Sequence, residues 1–353
     1  MRISPRLLPL PLLITFGALA ALSAPADRQP IVEALQWVRA PQRRTLQYDY
    51  VMSARVHLIF FWAGKDDVGG GYIRRAVSSA DPHEEFFQVL FGSDPEKAPR
   101  AINRWGAGTE VDWHRNPVMD SSREEDDITA SAFFGFMKSS RGKSVAEMQG
   151  ELKKEAERGQ HSFTGILSRV EPAWAISTVV PLQSNTDFTL HQYDVAEPLM
   201  LERIEGSERP VRSLATGGRC ARAGSFLATV TELLQAALEG RSSPLSRCYL
   251  HDAQENTLTL EKVTPTQSLP VQLRGPADVI ILDTVYHDLL QLDFVSEHRE
   301  TGKRVYFTIF VGTQSGLRGV PVQIRYQPNW WFQVILNFRP PKPSASDSAV
   351  ASR

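Results

Sequence analysis

Residues 320–338 have the sequence VPVQIRYQPNWWFQVILNF, in which apolar side chains recur at every second position around a central Gln327-Pro328-Asn329. Such alternation is typical of strands with one buried face, and the central segment is typical of a turn. The apolar positions are Val320, Val322, Ile324 and Tyr326 before the turn, and Trp330, Phe332, Val334, Leu336 and Phe338 after it. The stretch therefore predicts an antiparallel hairpin with one thoroughly apolar side.

The same alternation extends upstream of this hairpin. It occurs in 290–294 and 305–311, on either side of a Glu300-Thr301-Gly302-Lys303 turn, and again around Leu258 and Leu260. Further strands are predicted at 46–62, 72–77, 163–170, 174–180 and 188–193. The segment 112–143 fits either a strand or a helix.

Helical periodicity and capping residues predict helices at 30–39, 144–159 and 226–239. The third has Ser225 as its N-cap and Gly240 as its stop. Its apolar face consists of Phe226, Val230, Leu233, Leu234 and Ala237. Runs of strands joined by tight turns, with a few inserted helices, predict an antiparallel α+β fold.

The N-terminal segment has the three-part layout of a secretory signal peptide. Arg2 and Arg6 precede an uncharged, Leu- and Ala-rich stretch, and Ala24-Pro25-Ala26 predicts cleavage before Asp27. Cleavage after Ser23 is the second possibility. A membrane anchor is the rival interpretation, but two prolines interrupt the apolar stretch, which is at the short end of a span. Residues 1–26 are thus predicted to direct the protein to the periplasm or out of the cell.

Composition excludes several classes of function for the remaining chain. Removing two arginines from 39 basic residues leaves 37 against 40 acidic ones, a formal charge of −3. This balance favours neither nucleic acid nor polybasic lipid binding, and no second apolar stretch predicts a transmembrane segment. Residues 27–339 are long enough for one large domain or two similar ones divided near 205–224. The Pro- and Ser-rich end, 340–353, is predicted to be a disordered tail.

The chain has two cysteines, Cys220 and Cys248. In an oxidising compartment such a pair predicts one disulfide. The alternative is two separately buried thiols, because spacing alone does not bring the two Cα atoms close enough.

Two stretches carry a resemblance to a known superfamily: Cys248-Tyr249-Leu250-His251-Asp252 leading into Leu258-Thr259-Leu260, and 319–324 followed by the last apolar strand. They resemble periplasmic open-β-barrel domains of the lipoprotein-carrier type. In that superfamily a curved antiparallel sheet wraps helices and encloses an apolar cavity for lipid or acyl chains. The resemblance implies a curved sheet, an open or half β-barrel, packed on a few helices. Through 62–71 and 326–331, the chain also resembles a group of uncharacterised exported bacterial proteins.

The segment Asp66-Asp67-Val68-Gly69-Gly70-Gly71 is the most distinctive local feature. It suits a hairpin turn, in which glycines supply positive φ and aspartates bond their own backbone. The functional alternative is a loop whose carboxylates, Asp66 and Asp67, bind a cation or a polar ligand. The sequence contains no complete P-loop, nucleophile elbow or zinc helix, and its histidines are scattered, so no cofactor or metal is predicted.

The strand-rich pattern and the lack of a catalytic signature favour an exported, non-enzymatic protein that binds a hydrophobic ligand, a lipid or acyl chain, or an envelope partner. The residues predicted to line its cavity are Trp330, Phe332, Phe307 and Phe294. The alternative is a periplasmic hydrolase with a site assembled from distant residues, with Asp66, Asp67 and a histidine as candidates. A third hypothesis is an envelope scaffold, which would have a large exposed apolar patch.

Overall fold

The computed structural model describes residues 42–58, 61–78, 84–94, 97, 104–115, 127–139, 147, 164–171, 174–179, 224–251 and 254–341. Over these residues the chain forms fourteen strands, one complete α-helix and one 3-10 turn. The strands are β1 Gln42–Leu58, β2 Phe61–Ser78, β3 Glu84–Ser93, β4 Arg104–Arg115, β5 Asp127–Ser139, β6 Thr164–Glu171, β7 Trp174–Val179, β8 Gly224–Ser225, β9 Leu245–His251, β10 Gln254–Arg274, β11 Ile280–His298, β12 Arg304–Gly312, β13 Pro321–Asn329 and β14 Phe332–Arg339. The helix, α1, spans Phe226–Leu238, and the 3-10 turn spans Pro276–Asp278.

All fourteen strands belong to one sheet, in the order β7-β6-β5-β4-β3-β2-β1-β14-β13-β12-β11-β10-β9-β8. Neighbouring strands are antiparallel, except that β8 is parallel to β9. The two halves of the chain meet where β1 pairs with β14, from Asp49 opposite Arg339 to Val56 opposite Phe332. The first and last strands of the chain are therefore neighbours at the centre of the sheet.

The predicted α+β fold, a sheet packed on a few helices, is wrong. The described residues are almost entirely strand, with one complete α-helix, so the fold is all-β. The undecided segment 112–143 contains the end of β4 and all of β5. Among the other predicted helices, 30–39 lies outside the described residues, and 144–159 has one described residue, Glu147, which is helical. The fold class was wrong because helix caps are local signals, whereas pairing between distant strands, which joins fourteen strands into one sheet, leaves no local signal.

The prediction of α1 is confirmed. Ser225 has an extended backbone, and its Oγ accepts a hydrogen bond from the Ala228 amide at 3.1 Å. The apolar face of the helix packs on sheet residues Leu258, Leu260, Leu292, Phe294, Ile309 and Val311. Each large side chain that is fully buried there stabilises the fold by roughly 1.5–3 kcal/mol.

A second core cluster lies along the β1–β14 pair and includes residues from the far half of the long β10–β11 hairpin. Two buried tyrosines tie this cluster together: Tyr50 donates to the Pro321 carbonyl at 2.7 Å, and Tyr286 to the Phe338 carbonyl at 2.8 Å. Burial raises the pKa of Tyr286 to about 12, so its hydroxyl remains a donor at all ordinary pH values.

Several sequence predictions fall on residues outside the described ranges. Residues 1–26, 205–223 and 342–353 belong to this group, so the signal peptide, the domain division and the tail stay predictions. Within the described ranges, no helix has the length and apolar character needed to cross a membrane.

Candidate functional site

Two hairpins end side by side at one end of the sheet. The β1–β2 hairpin closes with Leu58 directly opposite Phe61, and the β13–β14 hairpin closes with Asn329 opposite Phe332. Because β1 and β14 are neighbours, with Val56 opposite Phe332, the two tips are adjacent.

The two tips have an unusual composition for hairpin connections. Short hairpin turns usually contain Gly, Asn or Asp, because these residues adopt positive φ or bond their own backbone. Here Trp330 and Trp331 form the turn of one hairpin, and Ile59-Phe60 connects the strands of the other in sequence. Apolar residues therefore form the β13–β14 turn, and the sequence between β1 and β2 is likewise apolar.

The side chains at these tips are exposed to solvent. The exposed fraction is 71% for Trp330, 44% for Trp331, 61% for Phe61, 43% for Trp62 and 45% for Leu58. We call these five residues the aromatic tip surface. Isolated apolar residues on a surface are ordinary, but a contiguous group of large ones marks an interaction site.

His57 connects the two tips. Its amide donates to the Trp331 carbonyl at 2.8 Å, across the β1–β14 boundary. Its imidazole lies 4.9 Å from the Trp62 ring and 6.0 Å from the Trp330 ring, measured between ring centroids. His57 thus links the three tryptophans of the two tips by backbone and ring contacts, while Leu58 and Phe61, the next pair in the register, lie on the other face of the same hairpin end.

The two tip segments themselves contain no carboxylate. Neither 56–65 nor 327–334 contains an Asp or Glu, and Lys65 is exposed. The next acidic residue along β2 is Asp66, which is paired: its Oδ1 lies 2.5 Å from the Arg55 guanidinium.

Asp66 and Asp67, the predicted ligand-binding carboxylates, both have structural partners. Asp66 also accepts a hydrogen bond from the Arg274 amide at 3.2 Å, which links β2 to the end of β10. Burial acts to raise the pKa of Asp66, but hydrogen bonds from Arg55 and the Arg274 amide outweigh it and lower the pKa. Asp67 lies 3.1 Å from the Lys97 ammonium. The structure thus uses both carboxylates to hold strands and loops in place.

Residues 66–71 do not form the predicted hairpin turn. These residues are in the middle of β2, beside a register shift between Met52 and Ala54 of β1. Their glycines are explained by close approach of the strands, since a Cβ on Gly69 or Gly71 would collide with a carbonyl oxygen of β3. The end of the β1–β2 hairpin was missed because the sequence between the two strands contains none of the residues that usually mark a turn.

The tryptophan pair also differs from its prediction. As strand residues, Trp330 and Trp331 were expected to point to opposite faces, one toward the core. In the structure β13 continues through Asn329, so the turn begins after the predicted Gln327–Asn329 segment and both rings are exposed. Both tips could have been found in the sequence as short apolar segments where one run of alternating apolar and polar residues ends and the next begins.

Of the four residues predicted to line a cavity, the structure brings only Phe294 and Phe307 together. Phe294 and Phe307 stack with centroids 4.9 Å apart, and Phe226 of α1 packs against Phe307 at 5.9 Å. Phe332 is half-buried against the central cluster, whereas Trp330 belongs to the aromatic tip surface.

Other predicted sites are placed only in part. Cys248 lies in β9 and is not a free thiol, while Cys220 is outside the described residues, so their pairing stays a prediction. Over the described ranges, no group of three or more His, Cys, Asp or Glu side chains is arranged to hold a metal ion.

No protein-family model and no curated protein matches the chain. Among solved structures, it is similar to a beta-barrel-like protein of the domain of unknown function DUF1849 from Brucella abortus, with 8% identity and a TM-score of 0.41. The alignment covers 84% of this chain and 97% of that chain. The relationship to lipoprotein-carrier domains stays a prediction.

Proposed function

We propose that this chain is a non-enzymatic binding protein of the bacterial envelope and that the aromatic tip surface is where it contacts an apolar ligand or partner. The observation that carries the proposal is that three exposed tryptophan rings lie on two adjacent hairpin tips: Trp62, Trp330 and Trp331. The predicted signal peptide in 1–26 supports a site of action in the periplasm or outside the cell.

The energetic argument concerns the cost of leaving these side chains in water. Each large apolar side chain gains roughly 1.5–3 kcal/mol when it is moved from water to an apolar environment. A polar turn would close either hairpin equally well. The exposed tips therefore leave apolar surface in water, and burying that surface against a ligand or partner would contribute to the free energy of binding.

The hydrolase hypothesis receives no support from its candidate residues. Asp66 is engaged by Arg55 and the Arg274 amide, and Asp67 by Lys97. The histidine nearest to them along β1, His57, lies among the aromatic rings of the tips.

The test compares the purified chain with two double variants. The tip variant carries Phe61→Ser and Trp330→Ser. The control variant carries Leu46→Ser and Val285→Ser, at positions with similar exposure, 52% and 49%, elsewhere on the sheet. Each protein is incubated with a total lipid extract and separated by gel filtration, and bound lipid is identified by mass spectrometry.

We expect lipid to co-purify with the wild-type and control proteins and to be depleted from the tip variant. Equal recovery of lipid from all three proteins would contradict the assignment of the tips as the binding surface. Circular dichroism of each protein checks that the substitutions leave the fold intact.

A further inference from the structure

We infer that the aromatic tip surface docks the protein on the lipid–water interface of a phospholipid bilayer, with the ends of both hairpins inserted among the headgroups. This inference rests on the proposed function and names the occupant of the same surface. It is carried by the chemistry, the shape and the charge of the tips.

The side-chain chemistry matches the headgroup layer of a membrane. Three of the five residues are tryptophans, Trp62, Trp330 and Trp331. An indole ring has an apolar body and one N–H donor, which is why tryptophan is enriched where acyl chains meet headgroups. Leu58 and Phe61 are purely apolar and suit the deeper part of this layer.

The site consists of the ends of two neighbouring hairpins. The tips belong to β2-β1-β14-β13, which are consecutive neighbours in the sheet. With strands about 4.8 Å apart, four of them span roughly 15 Å. A stable protein interface usually involves about 20–30 residues on each side, many more than the five at these tips. Insertion into a bilayer needs only a few side chains that project beyond the backbone.

The charge of the tips permits approach to phosphate headgroups. The tip segments 56–65 and 327–334 lack Asp and Glu, and Lys65 is exposed. The nearby carboxylate of Asp66 is neutralised by Arg55. A single exposed lysine gives only modest attraction to anionic lipid, so the interaction is mainly apolar and should persist in high salt.

The tips also require little rearrangement on binding. Each lies at the end of paired strands, and the His57 amide bonds the Trp331 carbonyl between them. Preorganisation lowers the entropy lost when a surface binds, so more of the apolar free energy appears as affinity.

The experiment measures binding of the purified chain to vesicles of phosphatidylethanolamine and phosphatidylglycerol by sedimentation. We expect the wild-type and control proteins to bind and the tip variant to partition at least roughly a hundredfold more weakly, since it loses two large apolar side chains. Binding of the wild type should change little when salt is raised.

Depth is measured with vesicles whose acyl chains carry bromine, which quenches nearby tryptophan fluorescence. We expect the wild type to be quenched, and Trp330→Phe with Trp331→Phe to be quenched less while still sedimenting with vesicles. This variant keeps apolar rings at the tip but removes two of the reporters.

Two outcomes would overturn the inference. One is absence of vesicle binding, or equal binding by the tip variant; if the tips are still required for lipid recovery from extract, the proposed function stands and only the bilayer assignment fails. The other is a dimer, detected by sedimentation velocity, that needs the tip residues while no vesicle binding occurs. That result would assign the surface to a second copy of this chain.

Discussion

Asp66 illustrates how a single residue gains a structural role that its sequence context conceals. Beside Asp67 and three glycines it resembles part of a ligand loop, yet its two carboxylate oxygens contact Arg55 of β1 and the Arg274 amide of β10. The first contact joins the two strands of one hairpin, whereas the second connects β2 to a strand 208 residues away in sequence. No local pattern predicts them, because neither partner lies at a fixed spacing from Asp66.

We expect Asp66→Asn to lower the free energy of unfolding by about 1–2 kcal/mol at neutral pH, since charged hydrogen bonds are worth more than neutral ones. The pKa of Asp66 is lower in the folded state, so its stabilisation is present above the unfolded pKa, about 3.9, and is lost as pH falls through the folded value. The stability gap between the wild type and the variant should therefore narrow below about pH 4.

Urea unfolding at several pH values measures this gap. Asp67→Asn is the matched control, because its partner Lys97 is 40% exposed and such pairs contribute about 0–1 kcal/mol. A gap for Asp66→Asn that stays constant down to low pH would show that its charge is not responsible.

At the scale of elements, the sequence predicted those features whose signals are local. Helix α1 was found because a serine cap, an apolar stripe and a terminal glycine all lie within or directly beside it. The β11–β12 hairpin was found because its strands alternate and Gly302, with φ 65°, marks its turn. The end of the β1–β2 hairpin was missed because the sequence Ile59-Phe60 carries no turn signal, and the β13–β14 turn was placed too early because Pro328 and Asn329 resemble a turn. Strand β5 was left undecided because its apolar residues are consecutive.

The glycines of β2 provide a prediction at this scale. A Cβ at position 71 would collide with the backbone carbonyl of Leu90 in β3, which cannot move without disturbing the sheet. We expect Gly71→Ala to lower the free energy of unfolding by about 1–3 kcal/mol, as overpacking does in cores. Gly64→Ala in the same strand should lower it less, because the atoms nearest to a Cβ there belong to the Arg55 side chain, which can shift at the cost of its pairing with Asp66, whereas backbone cannot. Thermal unfolding compares the two variants; equal effects would contradict this explanation.

For the whole molecule, the sequence identified many of the apolar strands but not their arrangement. The face of a strand can be deduced from alternation, whereas the pairing of β1 with β14 depends on residues almost the entire chain apart. The predicted cavity residues lie apart in the structure because their positions also depend on strand pairing. Periodicity places Phe294 and Trp330 on apolar faces, but it does not show that one is buried and the other lies on an exposed turn.

The central pairing of β1 with β14 leads to a prediction about cooperativity. Domain boundaries usually fall where few contacts cross, yet the core cluster at this pairing contains Tyr50 and Met52 from one half and Leu336 and Phe338 from the other. The two halves of the sheet should therefore unfold in a single transition. We expect Phe338→Ala, which removes a buried aromatic ring, to destabilise both halves by about 3–5 kcal/mol.

Hydrogen–deuterium exchange of peptides from β2 and β11 tests this expectation, because global unfolding must raise exchange in both by the same free energy. The exposed substitution Leu46→Ser in β1 is the control and should leave both unchanged. Faster exchange in β11 alone would mean that the halves unfold separately, and would favour a division of the chain near 205–224. Equal acceleration would instead make the β1–β14 pairing the structural centre of one cooperative unit, which is the rigid support that the adjacent aromatic tips require.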